Sequence, residues 1–475
     1  MRSIGALHAG ALEMTRIEFP PRGSGKSQAR EAAPSQTWQD PAELDGQWTW
    51  RAGGVLLGAS GGRFYGRDDD RHGVTVAGSR SGKSSSVLIP NLRRYPGSMV
   101  VLDPKGELAR ACASYRCALG QDVFILDPFD ELGGTSNSYN PFSELGVKSR
   151  RHLAADAAQV ADALIINNQR DPHWTDSAKK LVRGIVLHLM STATGPVTLR
   201  EVRRLLSATP AELDRLFNDM VGSSAFDGIV ANIGASYLGK QESGGRELQS
   251  ILSTAQEQTA PFDDLLHVTE NSDFRLADLN SGKMTIFLVL PGMRMGTHFR
   301  WLRLIVQQAL TILERAPVPS GRLPVWFVLE EFPALGHMRS IETAAGLMAG
   351  FGVKLWSVLQ DLTQLKTNYP KSWETFLGNA GFIQAFSNLD LTTTEHLSKM
   401  LGQTQVVETQ DIRISGTQLG HGDTGRREHI RHVRLLEPYE ITQLFARETF
   451  RQLVIVPGSR PVCLQRLAPE GREAP

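Results

Sequence analysis

Residues 77–84, Ala-Gly-Ser-Arg-Ser-Gly-Lys-Ser, form a glycine-rich loop of the kind that wraps phosphate, and no other stretch constrains the fold as much. Val74-Thr75-Val76 before it reads as a short buried strand, and positions 85–94 after it as a helix whose first turns Pro90 limits. Between a strand's end and a helix's start, consecutive backbone N–H groups can surround a β-phosphate while the helix N-terminus adds positive potential. Here those amides belong to Gly78, Ser79, Arg80, Ser81, Gly82, Lys83, Ser84 and Ser85. Lys83 is expected to reach the β- and γ-phosphates, and Ser84 to hold a Mg2+ ion. Ala77 replaces the usual first glycine, which fits only if its φ stays negative.

Two similar stretches fail the same test of context. GSGKS at 23–27 follows Pro20-Pro21 and precedes a polar run, so it reads as a linker. GASGG at 58–62 matches a nucleophile elbow, but the residues after it cannot form the required helix. Ser60 is therefore read as part of a glycine turn.

The chain is long enough, at 475 residues, for two or three domains with substantial cores. A net charge of +1 means that any surface for nucleic acid or anionic lipid must be local. Three cysteines and histidines without ligand spacing supply neither a disulfide framework nor a zinc site, and suit a reducing compartment. No apolar run approaches the ~20 residues needed to cross a bilayer, and His8 and Glu13 interrupt any signal-peptide core. The expectation is a cytoplasmic protein.

Positions 1–48 read as a flexible polar arm. From 49 to 148 buried strands alternate with helices: MVVLD (99–103), a helix ended by Gly120, then DVFILD (122–127). From 149 to 272 only helical periodicity appears, with Thr209 and Pro210 marking one helix start. Strands return in a second part, 273–468, at 284–290, 324–329, 354–359 and 382–386, and 469–475 is a tail. The pattern predicts an α/β fold with a mainly parallel central sheet and an inserted all-α domain.

Hydrolysis of ATP needs a magnesium carboxylate and a base as well as a phosphate loop. In open α/β sheets ligands sit beyond the carboxyl ends of the strands. Glu330 and Glu331 follow the apolar run 325–329 and are expected there, Glu330 on Mg2+ through water and Glu331 as the base orienting the attacking water. The alternative is a solvated acidic pair capping the next turn. Gln360, after 354–359, is either a sensor of the γ-phosphate or an ordinary polar strand end. Asp103 ends the strand after the phosphate-loop helix and is expected beside the phosphates; Lys105 is a phosphate contact or a turn residue.

These segments, with SYNPF (138–142), HWTDSAKKL (173–181), LEEFPALG (329–336), SVLQDLTQL (357–365), LSKMLGQTQV (397–406) and RLLEPYEI (434–441), resemble the signatures of type IV coupling proteins of the TraG/TraD kind, in order over 55–468. The resemblance implies a RecA-like, FtsK/HerA-related P-loop ATPase that uses ATP and Mg2+ and forms a hexameric ring. It further implies delivery of DNA, relaxase-bound DNA or effector proteins to a type IV secretion channel. By the same resemblance Lys83 and Ser84 bind nucleotide, Glu330 and Glu331 are the Walker B acids, Gln360 is the downstream glutamine, and 149–270 recognises substrate. The chain departs from the family at Ala77 and Glu330, in lacking the usual two-helix anchor, and in having Ala349-Gly350 where some members carry an arginine finger; Arg339 and Lys354 are the nearby cations. DNA binding follows from the resemblance, because the basic clusters at 148–152 and 426–434 also read as solvated loops. Two other readings stay open: a DNA translocase independent of any channel, and an ATP-binding adaptor for protein cargo with slow turnover.

Overall fold

The computed structural model describes residues 35–146, 150–167, 171–411 and 426–467. Positions 1–34 of the arm, the GSGKS stretch, Lys148 and Ser149 of the first basic cluster, and the tail at 469–475 lie outside the described residues.

The strands, in chain order, are β1 (Val55–Ser60), β2 (Arg63–Arg67), β3 (His72–Ala77), β4 (Met99–Asp103), β5 (Asp122–Leu126), β6 (Met284–Val289), β7 (Val325–Leu329), β8 (Val353–Leu359), β9 (Ala380–Phe386), β10 (Gln403–Asp411), β11 (Arg426–Arg434), β12 (Arg451–Ile455) and β13 (Val462–Gln465). All but β10 and β11 join an 11-stranded sheet ordered β2-β1-β13-β12-β9-β3-β8-β7-β4-β6-β5. From β9 to β5 every neighbouring pair is parallel. From β9 to β2 every pair is antiparallel. Strands β4, β6, β7, β8 and β9 are buried along their whole length, which is why their sequences are mainly apolar without alternation, and the polar residues they carry, Asp103, Thr285, Lys354, Ser357 and Gln384, are buried too. At the antiparallel edge, Gly61 and Gly62 (φ +55° and +73°) make the tight turn between β1 and β2, with Ser60 the last residue of β1.

Strands β5 and β6 are parallel neighbours, so a crossover must join them. That crossover carries helices Arg150–Leu164, Pro172–Thr192, Leu199–Leu206, Pro210–Val221, Ile229–Glu242 and Arg246–Thr259. Thr209 and Glu212 form a capping box ahead of Pro210, satisfying amides that the first turn leaves free. The helices share a continuous apolar core with the sheet, reached through the long helix Gly292–Arg315.

The SYNPF stretch forms one side of the neck beneath these helices. Ser138 N–H and the Asn137 amide donate to Asp273 at 2.7 and 3.3 Å, and Tyr139 N–H to the Val268 carbonyl at 2.8 Å. The half-buried Glu144 carboxylate accepts from Leu276 and Ala277 amides at 2.6 and 3.1 Å.

Strands β10 and β11 form a separate antiparallel ribbon, paired from Gln403↔Arg434 to Asp411↔Arg426. The second basic cluster, read above also as a loop, is β11. Its arginines and histidines give no period-two apolar pattern, so strand periodicity was not visible there.

Candidate phosphate-binding cleft

Because β3, β7, β8 and β9 run parallel, their carboxyl ends open on one edge of the sheet. Ala77 is the last residue of β3, fully buried and in register with Phe386 of β9. Its φ is not positive, so an alanine methyl is accommodated where the common pattern has glycine. Gly78 has no such latitude: a Cβ there would lie 2.4 Å from the Ser387 carbonyl oxygen. Arg80 (φ +54°) and Gly82 (φ +88°) are left-handed, alternating with neighbours whose φ is not positive. That alternation turns amides to one side and carbonyls to the other, the geometry of an anion nest. The chain then enters a π-helical turn, Ser84–Leu88, in which Ile89 N–H reaches back to the Ser84 carbonyl, before Ile89–Leu92. The wider turn relieves the clash that the Pro90 ring would make in a regular helix.

Lys83 Nζ donates to the Ala77 carbonyl at 2.9 Å, inside the loop. Ser84 Oγ donates to Glu330 Oε1, although β8 lies between β3 and β7. Glu331 accepts from Gln360 Nε2 at 3.4 Å. Gln360 is held by its own N–H, which donates to Gln364 Oε1 at 3.0 Å in the first turn of Leu362–Asn368; Asp361 caps that helix. Thus Lys83, Ser84, Glu330, Glu331 and Gln360 lie around one cleft. Asp103 ends β4 one step past the pairing of Leu102 with Leu329, which sets it near Glu330. It is fully buried, accepts from Ala109 N–H at 2.7 Å, and so anchors the start of Glu107–Ala118. Its other oxygen, Oδ1, is buried without a partner. Ser79 and Arg80 are exposed at the loop's tip.

Burial dominates the electrostatics. It pushes Glu330 up to about 7, against the Ser84 hydrogen bond, with Asp103 and Glu107 adding repulsion. Burial likewise raises Asp103 to about 6, opposed by backbone N–H donors. Lys83 is lowered by burial, while the charges of Glu331 and Glu330 act the other way. The cleft thus gathers hard oxygen donors, a hydroxyl and a carboxylate in contact, with more acid than neighbouring cations neutralise. Such a donor set suits Mg2+. Among the described residues no cluster of three ligating side chains forms, so a bound Mg2+ would need phosphate and water oxygens to complete its shell.

Several supports of the cleft gave no sequence signal. Arg303, on the helix Gly292–Arg315, donates to the Leu335 and His337 carbonyls, both at 2.7 Å, and holds the turn after Glu331. Arg466, beyond β13, donates to the Ser81 carbonyl. Of the two cations near 350, Arg339 is exposed at the start of Arg339–Leu347. Lys354 is 3% exposed and donates to the Asp69 carbonyl at 2.6 Å. It sits near the start of β8, at the opposite end of the strand from the cleft.

Residues 26–468 match the family described as type IV secretory system conjugative DNA transfer. The conjugal transfer protein TraG of Escherichia coli is 28% identical over 391 residues, covering 77% of this chain and 61% of TraG. Protein VirD4 of Rhizobium rhizogenes is 27% identical over 425 residues, covering 86% of this chain and 59% of VirD4. The chain thus spans about three fifths of the length of these curated relatives. The solved structure of plasmid coupling protein TrwB in complex with ADP and Mg2+ aligns with TM-score 0.66 at 18% identity, covering 95% of this chain and 98% of TrwB. The unbound coupling protein TrwBdeltaN70 aligns with TM-score 0.67 at 19% identity, covering 94% and 97%. At those identities the likeness shows a shared α/β fold.

Proposed function

The chain belongs to the type IV secretory system conjugative DNA transfer family, and we propose from that premise that it is an ATP-hydrolysing coupling protein. In this reading it recruits DNA, relaxase-bound DNA or an effector protein and drives it toward a type IV secretion channel. One observation carries the nucleotide part: Ser84 of the phosphate loop and Glu330 of another strand are in direct contact, with Lys83 beside them. The solved structures of TrwB in complex with ADPNP and with ADP and Mg2+ support the same chemistry.

Each residue then has a role. The amides of 78–85 hold the phosphates, and Lys83 leaves the Ala77 carbonyl to pair with the β- and γ-oxygens. Ser84 and Glu330 would hold Mg2+, which when bound neutralises charge building on the transferred phosphoryl group. Glu331 orients the attacking water, and Gln360, in contact with Glu331, reports loss of the γ-phosphate to its helix. The helices between β5 and β6 are the substrate-recognising part. A ring of six copies, with hydrolysis at subunit interfaces, fits the family and needs head-to-tail contacts that close. No helix among the described residues is long and apolar enough to cross a membrane, and we place the protein in the cytoplasm, against the inner face of the plasma membrane during transfer.

The test is ATP turnover with and without single-stranded and duplex DNA, using Lys83→Ala and Glu331→Gln. DNA-stimulated turnover lost in both variants, with nucleotide binding kept in Glu331→Gln, supports the motor. Binding without turnover in the native chain refutes it and favours an adaptor.

A further inference from the structure

A buried cation stands directly behind the phosphate loop. Arg466 is 3% exposed. One of its N–H groups donates to the Ser81 carbonyl and another to the Arg447 carbonyl at 2.7 Å. Its guanidinium lies 4.5 Å from the Phe386 ring centre and 5.3 Å from that of Phe450.

The neighbouring loop carbonyls find donors close by in sequence. Ala77 takes Lys83 Nζ, Gly78 takes Ser81 N–H at 3.4 Å, and Gly82 takes Ser86 N–H and Oγ at 2.9 and 2.6 Å. The Ser81 carbonyl instead takes a donor from the end of the chain. In a nest, each carbonyl turned outward aims the next amide inward. A donor that fixes the Ser81 carbonyl therefore fixes the Gly82 amide, at the centre of the cradle.

The charge matters as well as the bond. No carboxylate lies within ion-pair distance of Arg466 among the described residues; Glu448 acts on it only from farther away. A buried charge without a counter-ion is costly. Two polar atoms beside it are also buried without partners, Arg466 Nε and Ser81 Oγ. One guanidinium nitrogen is 3.7 Å from where a Gly82 Cβ would stand, so the charge is adjacent to the cradle.

We propose that Arg466 is a positioning residue for the polyphosphate: it holds the Ser81 carbonyl outward, and the bound phosphates are the counter-ion its burial lacks. The proposal rests on the nucleotide reading above and adds to it a residue from the C-terminal hairpin β12–β13. Nucleotide occupancy thereby becomes coupled to the Arg447 turn and the antiparallel edge of the sheet.

The test uses the full chain with Arg466→Gln, Arg466→Lys and Lys83→Ala. MgADP and MgATP affinities are measured by calorimetry, KM and kcat by phosphate release, and unliganded stability by urea unfolding. Arg466→Gln is expected to weaken both nucleotides, and raise KM, by about tenfold to a hundredfold, with kcat at saturation within about threefold. Arg466→Lys should recover part of the affinity, since an ammonium keeps the charge but cannot span two carbonyls. Native affinity in both Arg466 variants, with binding lost in Lys83→Ala, overturns the proposal alone. Native binding in Lys83→Ala overturns the nucleotide reading itself. If Arg466→Gln does not fold, Arg466→Lys decides: weakened affinity with an unchanged urea midpoint supports the proposal, and unchanged affinity overturns it.

Discussion

Glu330→Gln should make the nucleotide-free protein more stable, and only at neutral to alkaline pH. The carboxyl sits at about 7 in the folded chain, raised from an ordinary 4.5 chiefly by burial. Between those values the folded protein binds a proton that the unfolded chain has released. The favourable contribution is therefore complete below about pH 4.5 and is lost as pH rises through about 7. Above that, the native state carries a buried carboxylate at a burden of about 1.4 kcal/mol per pH unit between the two values, approaching ~3 kcal/mol. Glutamine removes the charge, keeps an oxygen for the Ser84 hydroxyl, and relieves the repulsion on Asp103, which also titrates high at about 6. Urea unfolding in chelator, without nucleotide, should place the Glu330→Gln midpoint clearly above the native one at pH 8, with most of the gap gone at pH 5. Adding MgATP at pH 8 should reverse the order, because the native carboxylate then has a cation to meet. An equal displacement at both pH values, or a folded variant less stable than the native protein at pH 8, would refute the argument that burial governs this acid.

Two further outcomes follow from close approaches elsewhere. Gly78→Ala puts a methyl 2.4 Å from the Ser387 carbonyl, so the loop must leave β9; calorimetry should show MgATP affinity falling at least about tenfold, with a stability loss of about 1–3 kcal/mol, while Gly134→Ala, with nothing within 4 Å, changes neither. Asp273→Ala removes the acceptor of both Asn137 and Ser138 at the neck, a loss of about 1–2 kcal/mol; hydrogen exchange should quicken at 137–140 and stay unchanged in β3.

The parts of this protein that were legible in its sequence are those whose physics is local. A strand buried on both faces is a short, mainly apolar run, and β4, β6, β7, β8 and β9 read that way because every residue in them is buried. The loop's place between a strand and a helical turn was legible because the apolar run 74–76 and the Gly82-Lys83-Ser84 that opens the turn are close in sequence. The ribbon of β10 and β11 did not, since Arg431, His429 and His432 on an exposed strand mimic a solvated loop. Nor did Arg466, whose relation to Ser81 exists only once β13 has paired with β12 and β12 with β9.

The departure at position 330 joins these two levels. The acid lies beyond β7, and β8 separates that strand from β3 and its loop. The side chain that spans this gap is a glutamate, one methylene longer than aspartate, and its Oε1 accepts from the Ser84 hydroxyl. The longer side chain closes the cleft across an intervening strand before any cation arrives, at the cost of a buried acid that favours its proton near neutrality. Strand order, which no local pattern encodes, thus brings the acid after β7 to the phosphate loop after β3.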